Sequence, residues 1–574
     1  MAQGVKTPTA PMAFRYRVDD TVASRQHLHV PQRVNNPDMH PHRLAWLRAA
    51  YECIPKILTL QDRNPHSPTY GCFDRNYWQF RVVDFPSGMS QEFIYPLALL
   101  WAHPLPGNAY YRNPAIAEYV VAGLRFAEKS SHPDGSCDDY YPYEKAAGAT
   151  AFSLLACVES YRLLGLRDAR LLTFFSRRLE WLNSHLESGR LTNHQALIAL
   201  CTELLSRVVG THRWDKQRDE RIQIVLDWQD PEGWFHEYEG FDPGYHTLTV
   251  SCLARLLAFK PSRVDLRKAL EKAVEVTAEM VYPDGTFGGE IGSRNTYNFF
   301  PHGFELLGHT IPQALAINDA VVRQLLEGIK PAYEDDHLIG HHTWNYILTG
   351  IDFHRGKRPD SLQRTQGRVY FPAAGILIDR RAQREVYIAL NKGGVFKIFV
   401  QGRLVATDTQ LSVTVQNSKR DVRNAVGHLM GGHARVVEKD TIRVSGCLSW
   451  AKHKVMTPFR LLLLRLVMLT VGKYRPDLIR RLLQRLLIIG AEPAPFTYSR
   501  TFSWDEQGGL SVRDEYRSDQ WHKVIDAGIS GHQTSNYVVM SRVFTPGQLQ
   551  PWYSLAQEAK EAQHTGTLVL QRVF

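Results

Sequence analysis

The 574-residue chain has no CxxC pair, and its seven cysteines (Cys53, Cys72, Cys137, Cys157, Cys201, Cys252 and Cys447) are scattered and odd in number. That usage excludes a disulfide framework. Thiols inside apolar stretches such as SLLACVESYRLL read as small core hydrophobes of a reducing compartment. No uncharged apolar run reaches the roughly 18 residues that a membrane-crossing helix needs. The opening stretch, MAQGVKTPTAPMAFRYRVDD, lacks the basic-then-apolar order of a secretory signal. These absences predict a cytoplasmic protein. No nucleic-acid-binding motif is found, so DNA and RNA are not expected partners.

What the chain does have is aromatic rings and positive charge. Aromatics reach 11%, with 12 Trp and 25 Tyr, and flat rings stack on pyranose faces as readily as they fill a core. The net charge is +10, and between Lys452 and Gly490 nine Lys or Arg face a single acid, Asp477. Most of the excess therefore sits in one segment, which would attract anionic polysaccharide or anionic lipid. Hydrophobic and charged contents of 44% and 22% are those of a globular protein, and the length implies two or three domains.

Residues 1–42 are polar and Pro-rich, and read as an irregular arm. From 43 to 355 apolar residues recur at three- and four-residue spacing, as in HRLAWLRAAYECIPKIL and HQALIALCTELLSRVV, which predicts helices. From 366 to 574 short β-rich runs such as REVYIALNKGG and GTLVLQRVF are separated by Gly, Asp, Asn and Lys. The expected fold is a multidomain α+β chain, an N-terminal α/α toroid of helical hairpins followed by a C-terminal antiparallel β-sandwich with a helical insertion.

The helical half repeats. Segments beginning at His132, Asp230 and Tyr282 each run from an acid–Gly turn through a polar, aromatic loop into an apolar helix, with turn glycines Gly135, Gly233 and Gly285. A period near 50 residues is that of stacked helical hairpins. Closing them into a ring gathers the loops at one mouth, whereas a linear α-solenoid is the open alternative. Asn193 and His194 start one helix, Tyr245 and His246 start the next at the equivalent place, and Glu290, Arg294, Asn295 and Asn298 follow in the next turn. Each also has a plain structural role open to it: a helix cap, a rim aromatic, or a surface ion pair between Arg294 and Glu290.

An NH pair before an apolar helix, a Tyr- and acid-rich loop ending in YH, and then DGTFGGEIGSR resemble, in that order, the heparinase II/III superfamily, which includes alginate and oligo-alginate lyases. The resemblance covers about residues 70–310. It implies β-elimination at a uronic acid, with Asn193 and His194 neutralising the substrate carboxylate, Arg294 assisting, and Tyr245 as base, acid or both. An ordinary phenol has a pKa of about 10, so Tyr245 would need cationic neighbours, for which His246 and Arg294 are the candidates. Arg75, Tyr77, Trp78, Tyr141, Glu237, Glu290, Asn295 and Asn298 are the expected substrate contacts. The family often adds a sandwich histidine or a structural zinc, which would fall on His428, His433 or His532, although these form no compact ligand set. No other cofactor is implied.

The stretch 457–490, TPFRLLLLRLVMLTVGKYRPDLIRRLLQRLLIIG, reads as two helices broken at GKYRPD. The second places Leu478, Ile479, Leu482, Leu483, Leu486 and Leu487 on one side, with Arg480, Arg481 and Arg485 largely on the other. It suits either an amphipathic hairpin on an anionic membrane or an insertion packed against protein. With no signal sequence, the expected setting is the inner membrane face, in exopolysaccharide or lipid-linked glycan biosynthesis. Two other classes stand beside the lyase. One is a glycoside hydrolase using acids among Asp134, Asp138, Asp139, Glu237 and Asp242, and the other is a non-catalytic glycan-binding or assembly protein.

Overall fold

A computed structural model describes residues 39–574, except 188, 239, 334–335, 420, 452–454, 488–491, 532 and 534–540. Most of the expected arm therefore lies outside the described residues, and Pro41 and His42 already belong to the first helix. The helices of the first half are α1 (Pro41–Tyr51), α2 (Ile54–Leu60), α3 (Arg75–Trp78), α4 (Ile94–Ala102), α5 (Pro114–Ser130), α6 (Ala147–Leu163), α7 (Ala169–Ser184), α8 (Thr192–Val209), α9 (Asp215–Asp227), α10 (Pro243–Phe259), α11 (Val264–Met280), α12 (His302–Leu307), α13 (Pro312–Leu326) and α14 (Asp336–Ile351). Short strands β1 (His236–Glu237), β2 (Gly240–Phe241) and β3 (Pro331–Tyr333) punctuate them.

α4, α6, α8, α10, α12 and α14 pack each on the next, and α14 returns onto α4. That closure excludes the open solenoid. α6 and α10 are buried on nearly every side, as inner helices must be, while α7 and α11 bury one stripe and face water with the other. α5, α7, α9, α11 and α13 back onto their inner partners, and α1 completes the outer layer beside α13 and α14.

The repeat read from the sequence is a repeated local structure. Gly135, Gly233 and Gly285 all have positive φ, and each amide donates to the carbonyl three residues earlier, on His132, Asp230 and Tyr282. A side chain at any of the three would strike the backbone of an outer helix, at Arg178, Lys272 or Ala320. Each turn is thus a buttress seated on the neighbouring hairpin.

The second half begins with a five-stranded antiparallel sheet in sequence order, β4 (Gly367–Phe371), β5 (Ile376–Arg381), β6 (Arg384–Ala389), β7 (Val395–Val400) and β8 (Arg403–Asp408). Nine further strands are β9 (Leu411–Ser418), β10 (Asp421–Val426), β11 (Ala434–Val437), β12 (Thr441–Trp450), β13 (Glu492–Trp504), β14 (Leu510–Arg517), β15 (Val524–Ile529), β17 (Tyr553–Ser554) and β18 (Thr567–Val573). They form one sheet of order β17-β15-β9-β10-β12-β13-β14-β18, with β11 on β12, while β16 (Ser541–Val543) pairs with β3 of the ring. Strand alternation makes the five-stranded sheet a middle layer. Ile376, Ile378, Tyr387 and Phe399 join the core of the ring, whereas Leu377, Val386, Ile388 and Ile398 join the core of the sandwich.

α15 (Pro458–Val467) and α16 (Pro476–Leu487) are inserted between β12 and β13, and α17 (Ala556–Thr565) precedes β18. No helix among the described residues is long and apolar enough to cross a membrane.

Candidate active site

The inner helices α6, α8 and α10 present their first turns at one mouth of the ring, so Gly148, Asn193 and Tyr245 come from successive hairpins. Free amides and aligned peptide dipoles at helix starts favour anions. The opposite mouth, between helix C-termini, holds a separate cavity of about 510 Å³ in which Arg255 pairs with Glu159 and His302 with Asp352.

Glu237, on β1, organises the first mouth. Its Oε1 accepts from the Asn193 backbone amide at 3.2 Å and from Asn193 Nδ2 at 2.5 Å, and its Oε2 lies 3.5 Å from Arg294 Nη1. The Arg294 guanidinium stacks 3.9 Å from the Tyr245 ring centre and 5.0 Å from that of Tyr238. Asp242 caps α10 by accepting from the Tyr245 amide, and it also accepts from the Arg294 amide and the Thr296 hydroxyl. Gly244 is required here, since a Cβ would fall 2.2 Å from Thr296 Oγ1.

Burial raises the carboxyl of Glu237, against the pull of Arg294 and Asn193. Burial likewise pushes the Tyr245 phenol up to about 12, with Arg294 the chief force holding it down. Tyr245 is therefore protonated at neutral pH.

His194 is fixed from behind. Its Nδ1–H donates to Oε2 of the fully buried Glu187 at 2.6 Å, its ring meets Phe152 edge-on, and it leans on Gly148, where an added Cβ would lie 2.7 Å from Cε1. Phe152 also stacks on His341 of α14, which pairs with Glu92. Glu187 Oε1 accepts from Arg480 Nη2 at 2.5 Å. Burial works to raise Glu187, but Arg480 and His194 hold it at about 2, so it is an anion.

Among the described residues, Asn193 Oδ1, Arg294 Nε and Arg480 Nη1 are buried at this mouth without a hydrogen-bond partner. Buried polar atoms are nearly always bonded. One open acceptor and two open cationic donors match a sugar that carries hydroxyls and an acid group.

The structure brings Asn193, His194, Glu237, Tyr245 and Arg294 together, with Tyr141 near Arg480; burial raises the Tyr141 phenol and Arg480 opposes it. His246 departs from its expected place. Its Nδ1 accepts from the Phe235 amide and its Nε2–H donates to the Ala273 carbonyl, so both nitrogens serve the backbone, and burial lowers its pKa to about 4. It cannot tune the Tyr245 hydroxyl.

Glu290, Asn295 and Asn298 also turn away from the sugar-binding role, toward the sandwich. Glu290 binds Lys397, Tyr297 and Arg542, Asn295 accepts from Lys392, and Asn298 accepts from Ser541. The expected surface pair of Arg294 with Glu290 is replaced by the pair with Glu237. On α3, Trp78 Nε1 donates to Leu60 O, Tyr77 packs on Phe126 of the outer helix α5, and Arg75 lies over Phe80. His433 is held by Leu429 O and the Tyr498 hydroxyl, and His428 by Thr409 O, while His532 lies outside the described residues.

Sequence reasoning missed Glu187, Tyr238, His341, Glu144 and the placement of Arg480. Glu144, buried beside Asp139 and accepting two backbone amides, is raised to about 7. The acid seven residues before His194 was the one visible signal for Glu187.

No known family profile and no curated protein sequence matches the chain. Solved structures do. A Streptomyces coelicolor chondroitin AC lyase in complex with chondroitin sulphate is 11% identical, over 94% of this chain and 79% of that one, with a TM-score of 0.49. A Paenibacillus xanthan lyase is 10% identical over 87% of this chain with a TM-score of 0.48, and this chain spans 47% of its length. A Pedobacter heparinus heparan sulfate lyase is 12% identical over 84% of this chain and 70% of that one, with a TM-score of 0.37. The similarity is one of overall build, and it assigns no residue and no substrate here.

Proposed function

We propose that the protein is a polysaccharide lyase that cleaves a uronate-containing polysaccharide by β-elimination. The observation that carries this reading is the continuous link Asn193–Glu237–Arg294–Tyr245 around one mouth, with its unfilled acceptor and cationic donors. Elimination removes the proton on C5 and expels the oxygen on C4. The electron pair of the C5–H bond becomes the C4–C5 double bond, and the leaving oxygen takes a proton.

The C5 proton is weakly acidic, so negative charge gathering on the substrate carboxylate must be met by donors and cations. Arg294, the second Nδ2–H of Asn193 and the imidazole fixed by Glu187 supply them. Tyr245, protonated at rest and stacked on Arg294, is suited to deliver a proton to the C4 oxygen. As a phenolate held by Arg294 it can also take the C5 proton. A panel of alginate, polygalacturonate and hyaluronan, followed by ultraviolet absorbance of the unsaturated product, tests the reading. No absorbance with any uronate polymer would defeat it.

The hydrolase reading is disfavoured by where its acids are spent. Asp134 binds Lys145 and Ser136, Asp138 accepts from His132 and two backbone amides, Asp139 accepts from Ser87, and Asp242 is a helix cap.

The same reading includes attachment to an anionic membrane surface, on the side of lipid-linked or exported glycan. Support comes from the outer face of α15 and α16. Phe459, Leu462, Leu466, Leu478 and Leu482 are exposed there, with Leu469 and Arg475 exposed in the turn between the helices, beside exposed Arg460 and Arg481. Co-sedimentation with vesicles containing phosphatidylglycerol, lost in Leu462→Asp/Leu466→Asp, is the expected result. Equal recovery with neutral vesicles, or no effect of the substitutions, would refute it.

A further inference from the structure

The inner face of the same insertion is fastened to the ring at four points. Arg465 pairs with Asp84 at 2.9 Å and lies over Phe85, Lys473 lies over Tyr143, Asp477 faces His185 at 3.5 Å, and Arg480 binds Glu187. Met468 and Ile479 are buried beneath it. These partners come from the loops before α4, α6 and α8, which are loops of the mouth that holds Asn193.

Arg480 is the member of this set that enters the site. Its side chain is 14% exposed, and it shares Glu187 with His194. Tyr141, Tyr238 and Glu144 all feel its charge. Arg481, the next residue along, is exposed. Glu187 occupies one edge of the Arg480 guanidinium, and Nη1 is buried without a hydrogen-bond partner among the described residues. A buried donor on a permanent cation has a strong drive to find an anion.

We infer that Arg480 is a substrate-contacting residue delivered by the sandwich domain: the 457–487 hairpin is a lid, and when it closes the open edge of Arg480 binds a carboxylate of the polysaccharide. The inference rests on the lyase reading. Glu187 then has two duties, fixing the tautomer of His194 on one side and aiming Arg480 on the other. On this reading the four fastenings release to admit polymer and re-form to complete the site.

The test uses the full chain and whichever of alginate, polygalacturonate and hyaluronan the wild type cleaves. Arg480→Gln is expected to raise KM roughly ten- to a hundredfold, the range of a charge-assisted hydrogen bond, while kcat falls much less. Arg480→Lys should recover part of the loss. Arg465→Ala, which weakens the lid at its half-buried pair with Asp84, should raise KM without removing a donor from the site.

Polymer should also slow hydrogen exchange across 457–483 in the Tyr245→Phe protein. Unchanged KM in folded Arg480→Gln, with only a lower Tm, would make Arg480 structural and overturn the inference while leaving the lyase reading in place. If no polymer yields unsaturated product with the wild type, both fall together.

Discussion

Asn193 and Glu237 stand 44 residues apart, in adjacent hairpins, and share a 2.5 Å hydrogen bond at the floor of one mouth of the ring. Glu237 is where the two halves of the proposed machinery meet, because its other oxygen faces the arginine that covers Tyr245. Glu237→Gln should therefore disturb both. The substitution leaves Arg294 buried without its anion, so a loss on the order of 1–3 kcal/mol of stability is expected by thermal melting. Turnover should fall by at least roughly a hundredfold.

The phenol of Tyr245 sits at about 12 because burial outweighs Arg294. If Tyr245 removes the C5 proton as phenolate, kcat/KM should climb with pH across the alkaline range by up to about tenfold per unit. Arg294 lowers the phenol, so Arg294→Gln should move that rise to higher pH. A profile flat from neutral to alkaline pH in the wild type would assign Tyr245 to the acid role alone.

Acid should loosen the joints that hold the lid and the ring. Glu187 and Glu290 are both held at about 2, against an ordinary 4.5, by Arg480 and His194 in one case and by Lys397 and Arg542 in the other. A depressed carboxyl contributes stability above its unfolded pKa, and loses it as pH falls toward the folded value. The window is therefore about pH 4.5 down to 2, with each group contributing on the order of 3 kcal/mol. Denaturant midpoints measured across that range should fall steeply, and Glu290→Gln should flatten part of the slope.

Arg500 lies at the centre of the sandwich, fully buried, with Asp408 and Asp514 on either side and Arg572 sharing both. Arg500→Met would leave two buried carboxylates short of a cation and should cost about 3–5 kcal/mol in urea unfolding. Its kcat/KM below the melting range should stay near that of the wild type, since among the described residues the network touches none at the mouth.

The ring was legible because it repeats. Acid–Gly turns at Gly135, Gly233 and Gly285 announced equivalent loops, and helix starts at Asn193 and Tyr245 followed from the same register. What stayed hidden depended on long-range partners. Nothing local distinguishes Arg480, bound to an acid 293 residues away, from exposed Arg481, since both lie on the polar side of one helix. His246 looked as available as Tyr245, yet one step along α10 turns it toward Ala273 and the backbone. Glu290 and Asn298 sat in a polar loop that a mouth would need, but that loop also meets the sandwich, whose Lys397 and Ser541 take them.

The most direct measurement compares wild type with Tyr245→Phe on the uronate-polymer panel, recording both unsaturated product and binding. The account predicts absorbance from at least one polymer with the wild type. The variant should lose turnover by roughly a hundred- to ten-thousandfold with binding nearly intact. Equal product formation by the two proteins, or polymer cleavage without a double bond, would contradict it.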